Sequence, residues 1–125
     1  MQNLTKFFPL IARVLIGALF VIAGTGKLAD VAGFAGYLTS GGLPAFLAWP
    51  SILFEIVLGV ALIVGYQVRT FALLGAGFCV AAGFLYHFNP ADQMQMTMFL
   101  KNLAIAGGFL MLATYGAGAY AVDKR

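Results

Sequence analysis

The sequence predicts an all-α membrane protein: a bundle of four transmembrane helices with a short interfacial helix between the first and second spans. Three observations predict it. Of 125 residues, 62% are apolar and 9% charged, against about 45–50% and 25% in soluble domains, so the polar side chains are too few to cover a soluble surface. The mean hydropathy of +0.98 agrees. The apolar runs are also long and unbroken, whereas a membrane-barrel strand alternates polar and apolar residues. Length sets the count: a span needs about 20 residues, so four use roughly 80 and leave about 45 for connections. Five would leave almost no loops, and three would leave an apolar segment uncovered. The same composition excludes a disordered tail, a disulfide-stapled secreted module and a nucleic-acid binder.

The first span is predicted over about 7–28, with Pro9 in its first turn, where a missing N–H costs nothing. A cleaved signal peptide is the rival reading, but Arg13 would sit inside its apolar core. Residues 30–44 are the longest connection. Asp30 suits the N-cap of a short helix carrying Phe34, Tyr37 and Leu38, which Gly41, Gly42 and Pro44 then end. Its aromatic residues suit the membrane interface. The second span is predicted over about 46–65, the third over about 71–88 and the fourth over about 97–115. Tyr66–Thr70 and Asn89–Asp92 are the turns between them, and Asp123-Lys124-Arg125 reads as a solvated tail. The whole chain, 1–125, reads as one domain without repeats.

The net charge of +3 comes mostly from the ends and one short loop, which makes it a topology signal. Lys6, Arg69, Lys124 and Arg125 lie on the side of the termini, against Lys27 and Lys101 on the other. That bias places both termini in the cytoplasm.

A charge at membrane depth costs about 2.5 kcal/mol or more on insertion scales, so Arg13, Lys27, Glu55, His87, Lys101 and Asn102 are the candidate functional residues. Arg13, Gly17, Phe20, Gly24 and Lys27 recur on one helical stripe, as do Lys101, Ile105, Gly108, Leu112 and Tyr115. Glu55 shares a face with Gly59, and His87 with Gly83. Polar residues thus stand beside glycines, where helix backbones approach closely, and the polar stripe is expected to face the bundle interior. By helical rise, Glu55 and Lys101 come within reach of one another, whereas Arg13 reaches Glu55 only when fully extended.

Two readings follow. Glu55 is a structural ion-pair partner of Lys101 or Arg13, or three cations around one carboxylate form a polar pocket for an anion or a polarised carbonyl, such as a quinone head group or a small sulfur oxyanion. His87 alone reads first as an interfacial histidine, and Met94, Met96 and Met98 as interface packing. Cys79, the one cysteine, cannot form a redox pair within the chain and suits a packing role. There is no zinc spacing, P-loop or dinucleotide fingerprint, so no cofactor is bound by an evident motif.

An arginine early in the first span followed by Gly17, Phe20, Gly24 and Lys27 resembles the DoxX family of small four-span bacterial membrane proteins. So do the Ser40–Pro44 loop, the intramembrane Glu55 and Arg69 after the second span. Lys101-Asn102, Ala106-Gly107-Gly108, Gly116, Gly118, Ala119, Asp123 and Arg125 carry the most specific part, similar to the YphA-like inner-membrane members. The resemblance implies a bacterial inner-membrane location and a quinone-linked, sulfur or oxidative-stress redox role, in which a partner protein, soluble or membrane-bound, supplies electrons. It assigns no catalytic residue. The family-like polar positions are Arg13, Lys27, Glu55, Lys101 and Asn102. A non-catalytic scaffold is the alternative. Small-solute permeation ranks below both, since four short spans would need a homo-oligomer to enclose a path.

Overall fold

The computed structural model describes residues 2–123, and side chains from residue 4 onward. A one-turn helix α1 (Gln2–Thr5) leads into α2 (Phe8–Lys27). The helical stretch from Phe8 to Ser40 is 33 residues long, roughly 50 Å if straight and too long for a bilayer core of about 30 Å. It breaks at a 3₁₀ turn, Leu28–Asp30, where Asp30 takes the non-helical angles φ −153°, ψ 76°. The Asp30 carboxylate accepts the Gly33 N–H at 2.8 Å and caps α3 (Val31–Ser40), the predicted interfacial helix. A second 3₁₀ turn, Ala45–Leu47, opens α4 (Ala48–Val64), which ends at the left-handed Gly65. Then come α5 (Val68–Ala82), a π-helical segment over Gly83–His87, and α6 (Gln93–Tyr115). Among the described residues four helices are long and apolar enough to cross a membrane, as the sequence predicts.

The spans run up, down, up, down, but they do not pack evenly. α2 lies along α4 and α5 along α6, while contact between these pairs is sparse. Glycines set both seams. A Cβ on Gly59 would lie 2.5 Å from the Gly17 carbonyl oxygen, and one on Gly17 2.7 Å from that of Gly59, so α2 and α4 touch backbone to backbone. Gly75 receives the ring of Phe109 from α6. The buried residues of α2 are Arg13, Gly17, Phe20 and Gly24, the predicted stripe. In α6 they are Phe99, Ala106, Phe109 and Leu112; of the predicted stripe only Leu112 is buried among the described residues, Ile105 and Gly108 are half-buried, and Lys101 and Tyr115 are exposed. The close fit of Phe109 on Gly75 accounts for this rotation.

Three helix starts differ from expectation, two of them through an aspartate cap. Asp123 is no solvated residue: its carboxylate oxygens accept the N–H groups of Gln67 and Val68 at 2.8 and 2.9 Å. These are donors at the start of α5, so the third span begins at Val68 instead of Phe71. Asp92 accepts the Met94 and Gln95 N–H groups at 3.0 and 3.3 Å, and the fourth span begins at Gln93 instead of Thr97. Pro44 directs the Ala45–Leu47 turn, so the α-helix of the second span starts at Ala48. Lys124 and Arg125 lie outside the described residues.

At the end of the bundle that holds both termini, the chain returns and locks the helix ends. Val122 and Asp123 donate their N–H groups to the Val64 and Gly65 carbonyls at 3.0 and 2.8 Å. Phe7 stacks on Tyr120 at 5.0 Å. Arg69 donates to the Ala113 and Thr114 carbonyls at 3.3 and 2.6 Å, satisfying the C-terminus of α6.

Candidate functional site

At the opposite end the two helix pairs splay and enclose a cavity of about 360 Å³. Phe20 of α2 and Phe78 of α5 form its aromatic floor, 6.2 Å apart, and are backed by Phe109 of α6 at 5.5 Å from Phe20 and Phe54 of α4 at 5.3 Å from Phe78. Its roof is α3, which contributes Phe34, Tyr37 and the buried Leu38. The roof is tied down from α5's π-helical extension, where the Tyr86 hydroxyl donates to the Leu38 carbonyl at 2.8 Å and its ring stacks on Tyr37 at 4.8 Å.

Five of the six sequence candidates line this cavity: Lys27, Glu55, His87, Lys101 and Asn102. Glu55 is 3% exposed, about 10 Å along α4 from Ala48 by helical rise. Its partner is Lys27, whose Nζ lies 3.0 and 3.1 Å from the two carboxylate oxygens. This corrects the expectation that Lys101 or Arg13 takes that role. Gly24 is the reason: a Cβ there would lie 3.2 Å from the Glu55 Cβ, so α2 presses against α4 at that level. Lys27, one turn further along the stripe, then stands directly over the carboxylate. The Lys27 ammonium also lies 5.2 Å from the centre of the Phe34 ring, a cation–π contact with the roof.

Lys101 comes from α6, which packs along α5 across the cavity from Glu55. It has no hydrogen-bond or ion-pair partner among the described residues. Asn102 beside it donates from Nδ2 to the Cys79 carbonyl at 3.2 Å. That carbonyl also accepts the Gly83 N–H, at the threshold of the π-helical segment. This segment aims Tyr86 at the roof and His87 at the cavity. Nδ1 of His87 lies 2.8 Å from Oε1 of Gln95, which holds the ring against the first turn of α6. Cys79 is buried, as expected of a packing thiol, and lines the cavity wall. Among the described residues no three of His, Cys, Asp and Glu come together to hold a metal.

Arg13 is the candidate that does not belong. It is fully buried at the end with the termini, roughly 20 Å from Lys27 along α2 by helical rise. Its guanidinium donates to the Leu62 and Ile63 carbonyls at 3.0 and 3.2 Å and to the Tyr120 carbonyl. Those groups are the unpaired C-terminal carbonyls of α4 and the returning chain, so Arg13 is a structural clasp. Only its Nε lacks a partner. Sequence reasoning also passed over the aromatic roof as part of the site. Phe34, Tyr37 and Leu38 at helical spacing were the available signal, and Tyr86 carried none.

The DoxX family model matches residues 8–88, two thirds of the chain, from the start of α2 through the π-helical segment. The Escherichia coli inner membrane protein YqjF is 43% identical over 124 residues, covering 99% of this chain and 95% of its own. The Escherichia coli inner membrane protein YphA is 30% identical over 123 residues, 93% of this chain and 88% of its own. Both alignments extend through α6, which the family model leaves out. No solved structure matches the chain. With its four apolar spans, this chain is therefore a small inner-membrane protein of the DoxX family.

Proposed function

We propose that this protein is the membrane-embedded binding subunit of a quinone-linked redox system, and that its cavity holds the quinone head group. One observation carries the reading: a mixed polar and apolar cavity brings a cation at its rim, unpartnered among the described residues, together with an aromatic roof. Lys101 has no hydrogen-bond or ion-pair partner among the described residues, so a carbonyl or anionic oxygen can complete its hydrogen bonding. Phe34, Tyr37 and Tyr86 supply flat surfaces for a planar ring. Asn102 adds an amide beside Lys101, and the Lys27–Glu55 pair adds a second cation with a carboxylate able to exchange a proton.

A bound quinone supplies two-electron, two-proton redox chemistry. The chain's own residues bind and orient the head group, and Lys101 stabilises negative charge on its oxygen. Electrons come from a partner redox protein. Both termini face the cytoplasm, with Lys6 and Arg69 at that end, and the cavity lies toward the other surface.

Equilibrium titration with a quinone in lipid nanodiscs tests this. Saturable binding is expected, and Lys101→Gln should weaken it about tenfold or more, the loss of one charge-assisted hydrogen bond of about 1.5–3 kcal/mol. No quinone after extraction of the purified protein, together with no saturable binding, refutes the proposal. The position of the Lys27–Glu55 pair on the α2–α4 seam favours a second reading, a scaffold whose ion pair is structural. Under that reading, Lys101→Gln leaves both assembly with the partner and turnover of the complex unchanged.

A further inference from the structure

The cavity is covered by α3 at the end of the bundle, and its side wall is thin where α2 and α6 face one another. In the cover, Leu38 is 4% exposed, and the Tyr86 hydroxyl bond and the Tyr37–Tyr86 stack hold the roof in place. At the side wall α2 and α6 diverge. They meet at Gly108, where a Cβ would lie 3.3 Å from Cδ1 of Ile16. Counting outward along the two antiparallel helices from that contact, Leu19 comes opposite Ile105, Ala23 opposite Asn102, and Lys27 opposite Met98. All six line the cavity from the two walls, and α2 and α6 have little direct contact. Leu19 is 41% exposed to the lipid side.

We infer that the ligand reaches the cavity sideways from the bilayer, through the gap between α2 and α6, and that it is an amphiphile with an oxygen-bearing head and an apolar chain. This rests on the pocket reading above and narrows it, because a small sulfur oxyanion does not partition into hydrocarbon. The volume agrees. About 360 Å³ is near the bottom of the roughly 300–1,000 Å³ range of ligand pockets, room for a head group but not for a long chain. The chain then stays in the gap, against Leu19, Ala23 and Ile105. The polarity agrees as well. Lys101 lines the cavity and is exposed, and the long apolar stem of a lysine lets its ammonium follow an incoming oxygen inward.

The test places a thiol inside the cavity and asks from which phase it is reached. In a Cys79→Ala background, Ser51→Cys introduces a near-isosteric thiol at a cavity-lining position. The full chain in liposomes is treated with a long-chain maleimide dissolved in the lipid or with a sulfonated maleimide in the water. We expect labelling by the lipid-dissolved reagent at least tenfold faster than by the sulfonated one. Ala23→Trp, or Ile105→Trp on the opposite wall should the first fail to fold, slows the lipid-phase reaction at least tenfold. Leu15→Trp, on the outward face of α2 at 68% exposure, leaves it unchanged. Faster labelling from water, no labelling from either phase, or equal rates in the portal variants overturns the inference. Failure of the quinone titration with this labelling pattern intact removes the quinone and keeps the portal. Quinone binding with unaltered labelling in the tryptophan variants removes the portal and keeps the quinone.

Discussion

Replacing Lys27 by methionine leaves the Glu55 carboxylate with no partner, 3% exposed on the α2–α4 seam. Breaking a buried ion pair from one side costs about 3–5 kcal/mol, because the remaining charge is buried and uncompensated. The reverse change, Glu55→Gln, is milder. The Lys27 side chain is 29% exposed, so its ammonium can turn outward to the interface, and the loss is about one charge-assisted hydrogen bond, roughly 1.5 kcal/mol. The pair is thus asymmetric: Lys27→Met should exceed Glu55→Gln by about 2 kcal/mol, a factor of roughly 30 in the folding equilibrium. The double variant Lys27→Met/Glu55→Gln should recover most of the Lys27→Met loss, because it removes the stranded charge. Reversible unfolding in mixed detergent and SDS micelles, followed by circular dichroism, measures all three, and the double-mutant cycle isolates the coupling. Equal costs within about 0.5 kcal/mol, the usual limit of additivity, or a milder Lys27→Met, would refute this account of the ion pair.

Other perturbations separate close helix contact from lipid-facing surface. Gly59→Ala drives a methyl group into the Gly17 carbonyl and should cost about 3 kcal/mol, the upper end for overpacking. Gly77→Ala, with nothing within 4 Å of the added carbon, should stabilise by up to about 1 kcal/mol through helix propensity; the same unfolding titration reads both. Asp123→Ala frees the Gln67 and Val68 N–H groups and should cost about 1–2 kcal/mol, the value of a helix cap, with faster amide exchange confined to the start of α5. Arg13→Met abandons the Leu62, Ile63 and Tyr120 carbonyls. It should lower stability by about 4.5 kcal/mol or more, since donors from a charged group are worth about 1.5–3 kcal/mol each, without changing quinone affinity in the folded fraction.

Local features of the fold were legible because they depend on local chemistry. Asp30 before an apolar helix, Gly116 after one, and the recurrence of Gly17, Phe20 and Gly24 each follow from backbone or periodicity rules within a few residues. That Glu55 meets a cation was legible too, because a carboxylate at that depth demands a partner. Which cation was not. Helical rise leaves Lys27 and Lys101 both within reach, and only the pairing of α2 with α4 and α5 with α6 decides between them. Asp123 and Arg13 were misread for a related reason. Their partners lie more than 45 residues away in sequence, and no periodicity announces a tail that returns to cap two helices. The roof is intermediate: its helix was foreseen, but its closure depends on Tyr86, which the π-helical break redirects.

The most direct test is a crystal structure grown from a lipidic phase with a long-chain quinone present. The head group should sit beneath α3 within hydrogen-bond reach of Lys101, with its chain leaving between Ala23 and Ile105 and the Lys27–Glu55 pair intact. A cavity filled by the protein's own side chains, or a Glu55 turned to the acyl chains away from Lys27, would contradict the account.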